Sequence, residues 1–201
     1  MHEEFLDPHT LRWSDGVFPL GGDSLALSRF VTLRRGWKVC DLGTGSGALL
    51  LLLHGREPSL ALSGVEIDPI SAQTARDNLS RNGLEGTILN EDLRRCSFPA
   101  GQFDLVISNP PYFSEGDDPK RCEISCSLPE LCAAASRLLR NGGRFALCHR
   151  PERLVDLMCA LRQYDLEPKR LKLLAHSPSH PPFLVLVECI RQGKSGLEII
   201  I

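Results

Sequence analysis

No C-x-x-C pair occurs in the 201 residues, although the chain carries eight cysteines. The one cluster, Cys122, Cys126 and Cys132, has three and five intervening residues, which fits neither the common zinc sites nor iron–sulfur runs. No bound metal is therefore expected. Cys40 and Cys148 fall inside apolar stretches and read as small core residues. A run of roughly 18 apolar residues, enough to cross a bilayer, is also missing. The longest, Ala48–Leu53, suits a buried helix, so no membrane contact is expected. The opening Met1-His2-Glu3-Glu4 lacks the basic-then-apolar order of a secretory leader, and a cytoplasmic location with reduced thiols is the expectation. Charge of one sign is not in excess: 23 Lys and Arg stand against 25 Asp and Glu. That balance excludes a uniformly basic nucleic-acid binder. Residues 140–172 nevertheless hold eight Lys or Arg against four acids, a basic face that could meet phosphate. With no repeat, linker or low-complexity tract, one domain over residues 1–201 is expected.

What is present alternates. Trp37–Leu42, Ala61–Ile67, Thr87–Asn90, Phe103–Ser108 and Arg144–His149 read as strands, and Ser46–Leu53, Pro69–Asn82, Leu128–Arg140 and Glu152–Tyr164 as helices. Strands alternating with helices specify a parallel sheet with right-handed crossovers. Asp68 caps a helix that starts at Pro69, and Asn82-Gly83 closes it. Ser127-Leu128-Pro129-Glu130 is a capping box, and Asn141-Gly142-Gly143 reads as a left-handed helix exit. Two further strands, near Arg170–Ala175 and Phe183–Ile190, are joined by Ser177-Pro178-Ser179-His180-Pro181-Pro182. That link is too short for a helical crossover, so they should pair antiparallel. The expectation is an α/β fold with a seven-stranded, mostly parallel sheet and a C-terminal antiparallel hairpin.

Asp41-Leu42-Gly43-Thr44-Gly45-Ser46-Gly47 joins the first of these strands to the first helix. Gly43, Gly45 and Gly47 let a ligand approach the backbone, with the unpaired N–H groups of a helix start behind them. The spacing is G-x-G-x-G, not G-x-G-x-x-G, and no phosphate-loop Lys follows. Asp41 would repel a phosphate but suits an ammonium group. Glu66 ends the second strand, about 20 residues beyond the glycines, where a carboxylate can accept both hydroxyls of a ribose. Asp92 follows the third and can accept from an exocyclic amine, with the Leu93 N–H offered to the ring.

The fourth strand ends in Asn109-Pro110-Pro111-Tyr112. Two prolines stop a ladder, because neither has an N–H and each fixes its own φ. They leave a rigid wall where open α/β sheets bind ligands, presenting an amide, backbone carbonyls and an aromatic face. This order of motifs resembles the class I S-adenosylmethionine-dependent methyltransferases, in particular the branch that methylates amino groups. Pro19-Leu20-Gly21-Gly22-Asp23-Ser24, Glu66-Ile67-Asp68, Arg150-Pro151-Glu152-Arg153-Leu154 and Glu167-Pro168-Lys169-Arg170-Leu171 look like the bacterial tRNA adenine N6-methyltransferases. Arg121-Cys122-Glu123 departs from that family, which usually has a His between the Arg and the Glu.

The resemblance implies a Rossmann-like class I fold and S-adenosylmethionine held by Asp41, Gly43, Thr44, Gly45, Gly47, Glu66, Ile67, Asp92, Leu93 and Asn109. It implies a tRNA substrate and no obligate protein partner. Asn109 and Pro110 would accept the target amine's hydrogens, Pro111 would stiffen the wall and Tyr112 would stack on the base. Phe113 and Arg121 are the further substrate candidates. Three rivals stay open. A glutamine N5-methyltransferase acting on release factors usually carries a separate N-terminal helical domain, and only 36 residues precede Trp37 here. The others are a guanine N2-methyltransferase of ribosomal RNA and a non-catalytic cofactor-binding scaffold.

Overall fold

The computed structural model of the chain describes residues 1–17, 20–110, 126–177 and 179–200. A hairpin of β1 (His2–Leu6) and β2 (His9–Trp13) leads into α1 (Gly22–Phe30). Then come β3 (Lys38–Leu42), α2 (Ala48–Arg56), β4 (Ala61–Val65), α3 (Pro69–Arg81), β5 (Gly86–Leu89) and β6 (Phe103–Ser108). The second half runs α4 (Leu128–Leu138), β7 (Leu139–His149), α5 (Leu154–Gln163), β8 (Leu166–Leu174), β9 (Leu184–Arg191) and β10 (Glu198–Ile200).

Among the described residues eight strands form the main sheet, in the order β10-β8-β9-β7-β6-β3-β4-β5. The seven expected strands are β3 to β9, and β10 adds a short parallel edge to β8. As the short connection requires, β8 and β9 pair antiparallel, and β9 is also antiparallel to β7. The rest of the sheet is parallel. Central strands are buried on both faces, which explains their continuous apolar runs. Phe103, Val106, Phe145 and Leu147 point into one core with α4 and α5. Leu105, Ile107, Ala146 and Cys148 point into the other with α1, α2 and α3.

Local chemistry sets several boundaries. Asp68 accepts from Ser71 N–H at 2.8 Å ahead of Pro69, and Gly83 turns out of α3 with a φ of 68°. Glu130 accepts from the Ser127 N–H at 2.8 Å, as the capping box requires, and also from the Ser127 hydroxyl at 2.8 Å. The exit of α4 corrects the sequence reading. The helix stops at Leu138, and Asn141-Gly142-Gly143 lies inside β7. Gly142 takes its left-handed φ of 73° there, opposite the register shift between Phe103 and Leu105. A Cβ on Gly143 would come within 3.2 Å of the Phe103 carbonyl oxygen, so the glycines serve a strand irregularity rather than a helix cap.

The N-terminal hairpin and α1 were not anticipated, because four of the five β1 residues face solvent and leave no period to read. Tertiary bonds hold the hairpin: Asn82 at the C-cap of α3 and Asn78 within it accept from Thr10 and Arg12 N–H at 2.8 and 3.0 Å.

The basic stretch 140–172 is not one basic face. Arg140 pairs with Asp104 and Arg162 with Glu167. Arg144 and Arg170 both turn to Glu188, whose side chain is fully buried on β9. Glu188 also accepts from the N–H and hydroxyl of Thr32 at 2.6 and 2.9 Å, just after α1. Arg170 bonds the Phe30 carbonyl at 3.1 Å and lies over its ring at 4.7 Å. The end of α1 is thus fastened to β7, β8 and β9. Removing one partner of a buried ion pair leaves uncompensated charge. Glu188→Ala should therefore cost about 3–5 kcal/mol, while Glu188→Gln should cost less because its amide oxygen still accepts from Thr32. Urea unfolding checks this; equal midpoints for Glu188→Ala and the parent would refute it.

Candidate active site

The carboxyl ends of β3, β4, β5 and β6 share one edge of the sheet, and each presents one of the expected polar residues. Asp41 lies in β3, in register with Gly64 of β4 and Ile107 of β6. Beyond it the chain turns through Gly43, Gly45 and Gly47 with φ of 73°, 54° and 82°. Side chains rarely adopt these values. A Cβ on Gly47 would also meet Ala75 Cβ at 3.3 Å, so α2 starts tightly against α3.

Glu66 follows β4 and braces the turn. Its Oε2 accepts from Gly45 N–H at 2.8 Å and its Oε1 from Asp68 N–H at 2.9 Å. Asn90 donates to the carbonyls of Glu66 and Ile67 at 2.9 and 3.0 Å, and the Ile67 side chain is left 58% exposed. Asp92 caps the 3-10 turn that starts at Leu93, accepting from Arg94 N–H at 3.0 Å and pairing with its guanidinium at 2.6 Å. That Arg94 contact holds the Asp92 carboxyl below its ordinary range, so it stays ionised. Arg94 also reaches Glu130 at 3.2 Å, tying the turn to α4.

Asp41 is in a different state. It is 1% exposed, and its Oδ1 has no hydrogen-bond partner; the buried Thr44 Oγ1 has none either. Burial pushes the Asp41 carboxyl up to about 7, against the lowering effect of the Thr44 hydroxyl, which lies close but outside good hydrogen-bond geometry, and with help from the nearby Glu66 charge. A buried carboxylate oxygen without a partner is costly unless a cation or donor arrives. With the open glycine backbone beside it, the arrangement fits a ligand that brings an ammonium group to β3 and hydroxyls to Glu66.

Asn109 stands at the end of β6 with its amide fixed on both sides. Its Nδ2 donates to Ser24 Oγ at 2.9 Å, and Cys148 Sγ donates to its Oδ1 at 3.0 Å. Burial raises the Cys148 thiol well above its ordinary value, so the proton needed for that bond stays on sulfur. An amide oxygen has two lone pairs, and one remains for an incoming N–H. Asp23, next to Ser24 in the first turn of α1, has its carboxyl raised by burial. Sequence reasoning gave no role to Asp23 or Ser24 and read Cys148 only as core. These contacts span 85 and 39 residues, and no local period carries them. Pro110 is half-buried beside Asn109, whereas Pro111, Tyr112, Phe113 and Arg121 lie outside the described residues. Among the described residues no cluster of His, Cys, Asp and Glu could hold a metal, and no helix is long and apolar enough to cross a membrane.

Residues 14–158 match the methyltransferase small domain family. The tRNA1(Val) (adenine(37)-N6)-methyltransferase of Porphyromonas gingivalis is 36% identical over 162 residues, 74% of this chain. The chain spans 63% of that relative's length. The protein of the same name from Parabacteroides distasonis is 27% identical, over 88% of this chain and 78% of its own. A solved structure, a predicted O-methyltransferase from Agrobacterium tumefaciens, superposes with a TM-score of 0.75 at 21% identity. It covers 88% of this chain and 84% of its own, and at that identity it shares the fold.

The state of Asp41 sets a pH dependence. Its carboxyl rises to about 7 in the folded chain, above the roughly 3.9 of an unfolded Asp. The folded state therefore binds the extra proton, and stability is lost as pH rises from the unfolded value through the folded one. Asp41→Asn should match the parent near pH 4 and exceed it at pH 8 by on the order of 2–4 kcal/mol. Urea unfolding at both pH values checks this; equal stability at pH 8 would show that Asp41 is solvated.

Proposed function

The chain belongs to the methyltransferase small domain family, and on that premise we propose that it methylates the exocyclic amine of an adenine in tRNA, using S-adenosylmethionine. The observation that carries the reading is the Asn109 amide, held by Ser24 and Cys148 beside the Asp41–Glu66 edge. The names of the curated relatives support adenine as the target and tRNA as the partner, and with tRNA a cytoplasmic location. One catalytic domain over residues 1–201 fits this reading, since both cores pack on the same sheet.

The residues on the β3–β5 edge fit the cofactor. Asp41 would take its ammonium, Glu66 the ribose hydroxyls, and Asp92 with the Leu93 N–H the adenine edge. Gly43, Thr44, Gly45 and Gly47 would line the approach, and Ile67 would cover the ring. When bound, S-adenosylmethionine supplies a methyl group on a sulfonium that departs as a neutral thioether, so no acid is required.

The chain's own task is to prepare the amine. An aryl amine is a weak nucleophile because its lone pair is delocalised into the ring. The free lone pair of Asn109 Oδ1 and the Pro110 carbonyl would each accept one N–H, so that the nitrogen pyramidalises and its lone pair points at the methyl carbon. Orientation and electrostatics then supply the rate without a conventional base, and the methylated nitrogen, now cationic, sheds one of its two protons to water after the transfer. Pro111 would keep the wall rigid, Tyr112 would stack on the base, and Phe113 and Arg121 would hold the extruded nucleotide. A glutamine amide could use the same wall, and the choice of adenine rests on the relatives.

Asn109→Ala should slow single-turnover methylation of tRNA by roughly 10²–10³, the effect of losing one oriented hydrogen-bond partner. Affinity for S-adenosylhomocysteine, measured by calorimetry on the same sample, should stay near that of the parent. A near-parental rate would reduce the Asn109 wall to a rigid turn.

A further inference from the structure

We propose that the paired rings of His176 and Phe183 form a second base-stacking platform on the rim of the site. It would receive the nucleotide next to the methylated adenine in a single-stranded part of the RNA. The proposal rests on the tRNA reading above.

The two rings stack with centroids 4.4 Å apart and planes 15° from parallel. Both side chains are exposed, Phe183 to 43%, so one aromatic pair stands in water with no core to bury it. The pair is built rather than incidental. Phe183 N–H closes the β8–β9 loop on the Leu174 carbonyl at 2.9 Å. Inside the loop, Ser177 Oγ bonds His180 Nδ1 at 2.7 Å and the Ser177 carbonyl accepts from His180 N–H at 3.0 Å.

Sheet register puts this platform on the site's side. Ser108 pairs with Leu147 on β7, and His149 pairs with Val185 on β9. Phe183, two residues before Val185, therefore lies beyond the same edge as Asn109, two strand spacings (about 10 Å) across the sheet and three residues (roughly 10 Å) further out along it. Lys172 occupies the same end of β8, paired with Leu186, and Arg150 directly follows β7. Exposed rings at a sheet end that also carries cationic residues suit a phosphate-linked base better than an apolar peptide. A target base drawn out of its stack also leaves its neighbour short of a stacking partner, which a flat aromatic pair replaces.

The test compares the parent, Phe183→Ala, His176→Ala and Phe183→Trp by tRNA binding, with S-adenosylhomocysteine affinity as the check on folding. Phe183→Ala should weaken tRNA binding by roughly 10- to 100-fold, the scale of one stacked base, and His176→Ala by less. Cofactor affinity should not move in any variant. Phe183→Trp should bind tRNA like the parent, with fluorescence of the introduced indole quenched by the stacked base. Parental tRNA affinity in Phe183→Ala would overturn the platform and leave the tRNA reading standing. No tRNA binding by the parent, with binding of a glutamine-containing release-factor peptide instead, would overturn both.

Discussion

Glu188 carries its charge where water does not reach, and four donors meet it there: the N–H and hydroxyl of Thr32 and the guanidinium groups of Arg144 and Arg170. Such a group is tolerated only when its lone pairs are all used. The consequence is geometric. Thr32 lies just past α1, so the carboxylate fixes that helix on the face of β7, β8 and β9. The other end of α1 carries Ser24, which holds the Asn109 amide. A buried ion network at one end of α1 therefore anchors the helix whose other end holds a catalytic candidate. It also consumes two of the arginines that a count of charges along the chain would assign to RNA.

Asp41 illustrates the opposite arrangement. Glu188 is fully partnered and stabilises the fold, whereas Asp41 keeps an unpaired oxygen and a carboxyl raised to about 7. The strain is local: neighbouring Glu66 is well satisfied by Gly45 and Asp68 N–H groups, and Asp92 by Arg94. Three acids on three adjacent strand ends thus have three different environments. Only one of them is left waiting for a positive partner, and it adjoins the backbone that the left-handed glycines keep open.

Much of this was legible in the residues. Apolar runs broken by Gly and Pro located β3 to β9, and Asp68-Pro69 and Ser127-Leu128-Pro129-Glu130 marked two helix starts by capping chemistry that is local in sequence. The polar residues at the strand ends were readable for the same reason: each directly follows an apolar run. What could not be read depends on distance. The β1–β2 hairpin stands on Asn78 of α3 and Asn82 at its C-cap, the Asn109 amide on Ser24 and Cys148, and Arg140, Arg144 and Arg170 pair with Asp104 and Glu188. Gly142-Gly143 misled because a left-handed glycine serves a helix exit and a strand irregularity equally well.

The account's central claim is that a preorganised amide at the end of β6 aims an adenine amine at a methyl group. Its most direct measurement is transfer of labelled methyl from S-adenosylmethionine into total tRNA, total ribosomal RNA and a peptide release factor in parallel, followed by hydrolysis and identification of the labelled product. The account predicts N6-methyladenosine from the tRNA sample alone. Label recovered as N5-methylglutamine or N2-methylguanosine, or in no sample, would contradict it.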